Sequence, residues 1–152
     1  MDRFVLDTNV LLDVALGRQP FCDKAKLLLE LAYIGEFELW IGTSQVTDLI
    51  YVLTEGGKPS MAGFAKEMMS YLHRVVHVYA TDERDYECVA RSTWEDLEDA
   101  FVFQTASNVG ADAIISRDAS GFDRSPIKVM DCDELFEVMR ARRGVDYERV
   151  GF

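Results

Sequence analysis

Aspartates stand at four places in this sequence where a carboxylate can do chemistry. Asp7 ends the apolar run of RFVLDTNVLLD, Asp48 lies in SQVTDLIYVLTE, Asp99 enters DLEDAFVFQTASNVG, and Asp118 closes DAIISRD. A carboxylate delivered by a buried run is costly unless something compensates it. Two carboxylates about 4 Å apart repel by roughly 4 kcal/mol at an effective dielectric of about 20, so a cluster of them takes up protons or binds cations. Oxygen ligands without Cys or His suit Mg²⁺ or Mn²⁺. One or two such ions would support metal-assisted hydrolysis of a phosphodiester.

The elements around these acids have to bring them together. FCDKAKLLLELAYIG places Phe21, Ala25, Leu28, Leu29 and Ala32 at helical spacing, between Pro20 and Gly35. FELWIG reads as a strand leading into a helix with Val46, Leu49, Ile50 and Leu53 as its apolar stripe, capped by Thr43 or Ser44. After the break GGKPS come a Met-rich helix (61–72), the strand VVHVYA, a helix over 82–90, and a longer helix capped by Asp96 and stopped by Gly110. DAIISRD and IKVMD are the last strands, and DELFEVMRARR the last helix.

Continuous apolar strands separated by helices specify a three-layer α/β/α sandwich with a central parallel sheet of about five strands. In such a sheet the functional crevice lies beyond the carboxyl ends of the strands. Asp7, Asp48, Asp99 and Asp118 all fall at that edge. Each also has a local alternative: Asp7 as a helix N-cap, Asp48 on a solvated face, Asp99 and Asp96 complementing a helix dipole, Asp118 in a turn.

The chain has 152 residues, 49% of them hydrophobic, which suits one domain over 1–143 followed by a tail over 144–152. It lacks a long apolar run and a signal peptide, so a cytoplasmic protein with no membrane segment is expected. Cys22, Cys88 and Cys132 read as free packing thiols. His73 and His77 are the only histidines, so a zinc site or a His-based triad would rest on very few residues. Sixteen basic against 27 acidic residues give a net charge of −11, which argues against a broad nucleic-acid footprint. Arg140, Arg142 and Arg143 form one basic cluster, read as a solvated helix end.

VLDTNVLLD, together with DLEDAFVFQTASNVGADAIISRD, resembles the PIN-domain family, in particular its small VapC-type toxin ribonucleases. The resemblance implies a divalent-metal-dependent endoribonuclease, a homodimer, and a small inhibitory antitoxin protein. It implies Asp7, Asp99 and Asp118 as metal-binding acids, Asp96 in reserve, and Thr8, Asn9 and Ser116 as polar supports. Asp48 falls where the family carries a glutamate, one methylene longer. Gly121 falls where many relatives carry an aspartate. Arg117, Arg18 and Lys58 are candidates for phosphate contact, and Asp13 reads as a surface or structural acid. The rival reading is a catalytically weak or inactive PIN-like metal- or RNA-binding or regulatory module. A phosphoaspartate pocket would want an acid in place of Asn9 or a suitably placed lysine.

Overall fold

The computed structural model describes residues 1–149; the end of the segment read as a tail, residues 150–152, lies outside the described residues. One sheet contains β1 (Arg3–Leu6), β2 (Glu38–Gly42), β3 (Val76–Tyr79), β4 (Ala113–Ile115) and β5 (Val129–Met130), in spatial order β3-β2-β1-β4-β5. Every neighbouring pair is parallel, and Val5 of β1 lies between Trp40 and Ile114. The expected α/β sandwich with five parallel strands is the fold. Successive strands after β1 fill one side of the sheet, and β4 then starts the other. The chain direction therefore reverses beside β1, which makes the carboxyl end of β1 the topological switch point.

Both faces of the sheet are covered because consecutive residues of β1 are apolar and point to opposite faces. Phe4 and Leu6 join a core with Leu11 of α1 (Thr8–Ala15), Leu28 of α2 (Cys22–Tyr33), Leu49 of α3 (Thr43–Leu53), Leu72 of α4 (Ala62–His73) and Leu135 of α7 (Cys132–Arg143). Val5 faces the other way, onto Val102 and Ala106 of α6 (Leu97–Val109), with α5 (Glu83–Ala90) packed beside α6. Burying each such side chain is worth about 1.5–3 kcal/mol relative to exposure. α6 is long enough to contact β1, β2 and β4, so its first turn lies against the edge where those strands end.

Several local expectations change. α3 begins at Thr43 with no loop after β2, so neither Thr43 nor Ser44 caps it; the side chain of Gln45 accepts from the Gly42 N–H at 3.0 Å instead. Ile50, placed in the apolar stripe, is 37% exposed. Asp96 caps α6 by accepting from the Asp99 N–H, and Gly110 ends it with φ of 65°. The three cysteines are free, but only Cys22 is fully buried and Cys88 is exposed. His77 stacks on Trp40. In the basic cluster, Arg140 pairs with Asp146 and Arg143 with Asp2 and Glu36. Beyond α7, Tyr147 is buried and donates to Glu36 at 2.7 Å.

The crossing of β2 and α6 is tight. A methyl group on Gly42 would collide with the Thr105 hydroxyl. Gly42→Ala is expected to cost about 1–3 kcal/mol, the usual range for overpacking, and Thr105→Ala in the same chain should recover part of it. Urea denaturation of the single and double variants measures both; a cost unmoved by Thr105→Ala would mean that the collision is not its source.

Candidate active site

Beyond the end of β1 lies a cleft of about 460 Å³. Its walls include Asp7, Thr8 and Asn9 from the entry to α1, Asp48 from α3, Asp96, Glu98 and Asp99 from the start of α6, and Asp118 after β4. The four aspartates read from the sequence as sharing one edge do share one cleft, and Asp96 lines it with them.

Asp7 is 8% exposed and sits at the N-cap position of α1, yet its side chain makes no capping hydrogen bond. Its Oδ2 accepts instead from the Ser116 hydroxyl at 2.7 Å, while its backbone N–H donates to the Ile115 carbonyl at 2.9 Å. Burial pushes its pKa up, against the Ser116 hydrogen bond and the nearby backbone N–H groups of Thr8 and Asn9, and the charge of Asp118 adds to the rise. Ser116, itself 2% exposed, also accepts from the Asp118 N–H at 3.1 Å, so one hydroxyl links two of the acids. Gln45 holds the opposite wall: its amide donates to the Leu6 carbonyl at 2.7 Å and to the Thr8 hydroxyl at 3.3 Å.

Asp99 is the most perturbed carboxylate. Burial, then the charges of Asp7, Asp96, Asp118 and Glu98, raise its pKa from 3.8 to about 7. Gly121 lies directly against it, and a Cβ at that position would strike the Asp99 carboxylate. An aspartate at position 121 therefore has no room while Asp99 is placed as it is. Asp48 is half-buried and shifted upward by burial. Glu98, overlooked in the sequence, is shifted upward chiefly by the charge of Asp48 and then by burial. Among the acids of the cleft, only Asp118 is held below the ordinary carboxylate range, because Ser120 donates to it through both its hydroxyl, at 2.6 Å, and its N–H, at 3.0 Å. Its reading as a turn residue and its place in the cleft are thus both correct.

Two missed residues had signals. Glu98 sits beside Asp99 in an acid-rich first turn, and Gln45 is at the third position of a helix, where a Gln commonly reaches back to the preceding N–H.

The phosphate-contact candidates do not enter the cleft; among the described residues no Lys or Arg lines it. Arg117 points to the other side of its turn, with Nε 2.9 Å from Asp13 Oδ2 and its guanidinium 4.4 Å from the centroid of the Phe21 ring. Asp13 is no surface acid, being 1% exposed. Arg18 lies 3.9 Å from Asp13, and Lys58 pairs with Glu55 at 2.6 Å.

The profile of the PIN domain matches residues 3–120, which include every acid of the cleft. The chain belongs to the PIN-domain family. This PIN domain shares its fold with VapBC2 from Rickettsia felis, solved bound to a DNA fragment from their promoter: TM-score 0.64 and 14% identity, covering 85% of this chain and 98% of that one. It is similar also to a toxin–antitoxin complex from Klebsiella pneumoniae, with TM-score 0.63, 19% identity, and 84% and 96% covered. A third likeness is VapC20 from Mycobacterium tuberculosis, a sarcin-ricin loop cleaving toxin, with TM-score 0.58, 14% identity, and 80% and 94% covered. No curated protein matches the sequence.

The pH dependence of the metal-free PIN domain follows from Asp99. Its folded pKa lies above its unfolded value, so the native state binds more protons between pH 3.8 and about 7. The contribution of Asp99 to stability is therefore full below that window and is lost as pH rises through it. Asp99→Asn should flatten the decline, as measured by urea midpoints at several pH values. An equally steep decline in Asp99→Asn would show that Asp99 is not its main source.

Proposed function

We propose that this PIN domain is a divalent-metal-dependent endoribonuclease, the toxin of a toxin–antitoxin pair. The observation that carries the reading is the buried carboxylate of Asp7 at the switch point of the sheet, sharing a cleft with Asp99, Asp118 and Asp48 and with no Lys or Arg side chain among its described walls. The raised pKa values of Asp7, Asp48, Glu98 and Asp99 mark negative charge that lacks compensation. All the donors are oxygens, which fits Mg²⁺ or Mn²⁺. Among the described residues no three acid, His or Cys side chains form a ready-made metal cage. Mg²⁺ keeps several of its waters and needs only one or two carboxylates directly.

In this reading Asp7, Asp99 and Asp118 hold the ion, with Asp48 contributing from α3 and Asp96 in reserve. Aspartate is one methylene shorter than the family's glutamate, so Asp48 acts through water. Ser116 holds Asp7 Oδ2 and the Asp118 backbone in one place, and Gln45 holds Thr8. Asn9 offers a neutral amide to the same cleft. The ion, when bound, supplies positive charge that acidifies an attacking water and offsets charge developing on the phosphodiester.

RNA as substrate and a small antitoxin as partner are supported by the likeness to toxin–antitoxin complexes and to a toxin that cleaves the sarcin-ricin loop. A homodimer acting in the cytoplasm completes the proposal. No helix among the described residues is long and apolar enough to cross a membrane.

The purified protein should cleave single-stranded RNA with Mn²⁺ or Mg²⁺, and stop when the metal is chelated. Asp7→Asn should lower the rate by more than about 100-fold, the upper end of what losing a group that merely supports a metal ligand costs; unchanged cleavage by Asp7→Asn would sink the assignment. The acid-only cleft favours one second reading, a module that holds metal without turnover. There, Mn²⁺ would raise the thermal midpoint while RNA stays intact.

A further inference from the structure

The two acids of α1, Asp7 at its entrance and Asp13 toward its end, hold consecutive residues of the turn after β4. Asp7 takes the Ser116 hydroxyl at 2.7 Å, and Asp13 takes Nε of Arg117 at 2.9 Å. The Ser116 hydroxyl thus meets Asp7 at the rim of the acidic cleft, while the Arg117 guanidinium turns away from that cleft to Asp13. Arg117 lines a separate cavity of about 300 Å³ together with Asp13, Phe21 and Ser116. We propose that the Asp13–Arg117 ion pair is a positioning device, which sets the turn carrying Ser116 and Asp118 and thereby the spacing of the carboxylates around a bound ion. This rests on the reading of the cleft as a divalent-metal site.

Asp13 is 1% exposed, and a buried carboxylate left without its cation is strongly destabilising. Its Oδ1 has no hydrogen-bond partner among the described residues, and Arg18 comes no closer than 3.9 Å. Arg117 is thus its one hydrogen-bonding cation, and Phe21 supports the guanidinium from beneath. An arginine held in this way is not free to contact phosphate. Its effect passes through its neighbours: Ser116 on one side orients Asp7, and Asp118 on the other lines the cleft.

The test uses the full chain with Mn²⁺ as probe. Arg117→Gln removes the cation, and Asp13→Asn with Arg117→Gln removes both charges, leaving no buried charge unpaired. Phe21→Leu keeps both charges and removes the ring. In folded protein, judged by circular dichroism, Mn²⁺ affinity by calorimetry should fall about 10-fold or more in the double variant and by less in Phe21→Leu. Deuterium uptake over residues 115–120 should rise while the rest of the sheet stays protected. For RNA cleavage, kcat should fall with KM unchanged, and Arg117→Lys should restore part of the Mn²⁺ affinity lost in Arg117→Gln. Wild-type Mn²⁺ affinity in the double variant or in Phe21→Leu, or a raised KM with Mn²⁺ affinity intact, overturns the proposal; the second result would make Arg117 a phosphate contact. A wild-type chain that binds Mn²⁺ but cuts no RNA overturns the nuclease reading alone. One that takes up no Mn²⁺ overturns both.

Discussion

Repulsion among carboxylates at the end of β1 is the constraint on which the rest of the site depends. The parallel sheet delivers Asp7 and Asp118 to one edge, and α6 brings the start of its first turn to the same place. Asp118 is exposed, but Asp7 and Asp99 are held in place. Asp7 is tied to β4 by its own backbone N–H and to Ser116 by its side chain. Asp99 is backed by Gly121 so closely that no side chain fits between them. The upward shift of its pKa to about 7 expresses that confinement.

A second buried aspartate shows that burial alone is not the cause. Asp85 is 2% exposed, yet its pKa is lowered. Burial pushes it up, but hydrogen bonds from the Asp82 N–H, Asn108, Tyr79 and Gln104 outweigh that cost. Asp13 has Arg117 at 2.9 Å, which offsets only part of the upward push of burial. The cleft acids have fewer donors and no Lys or Arg among their described neighbours. Most of the protein's resolved ion pairs lie elsewhere: Arg3 with Glu38, Lys24 with Asp133, Lys58 with Glu55, and Arg140 and Arg143 around the end of α7. The excess of acids over bases in the whole chain thus becomes, locally, a cleft of acids with no Lys or Arg among its described walls.

Much of this was legible in the residues because it follows from local periodicity and topology. Apolar strands alternating with amphipathic helices required a parallel sheet, and a parallel sheet required a shared carboxyl edge. Asp7, Asp48, Asp99 and Asp118 could be selected on that basis alone, and Ser116 with Asn9 by resemblance to the motif. The errors have a common origin. Arg117 stood as a candidate phosphate contact, and Asp13 stayed undecided between a surface and a structural acid, because neither reveals its partner across more than 100 residues of chain. Glu98 was passed over because its neighbour Asp99 fitted the motif better, although both line the cleft.

By itself the sequence determined the class of fold, the order of its elements and four of the acids at the cleft, since each depends on spacing between near neighbours. Tertiary structure alone decided which acids lack compensation. It gave Asp13 an arginine, gave Asp85 a ring of donors, placed Asp99 against Gly121, and left Asp7 with a single hydroxyl. The physical reason is that a carboxylate's cost is set by the groups within a few ångströms of it, and in a parallel sheet those groups come from distant parts of the chain.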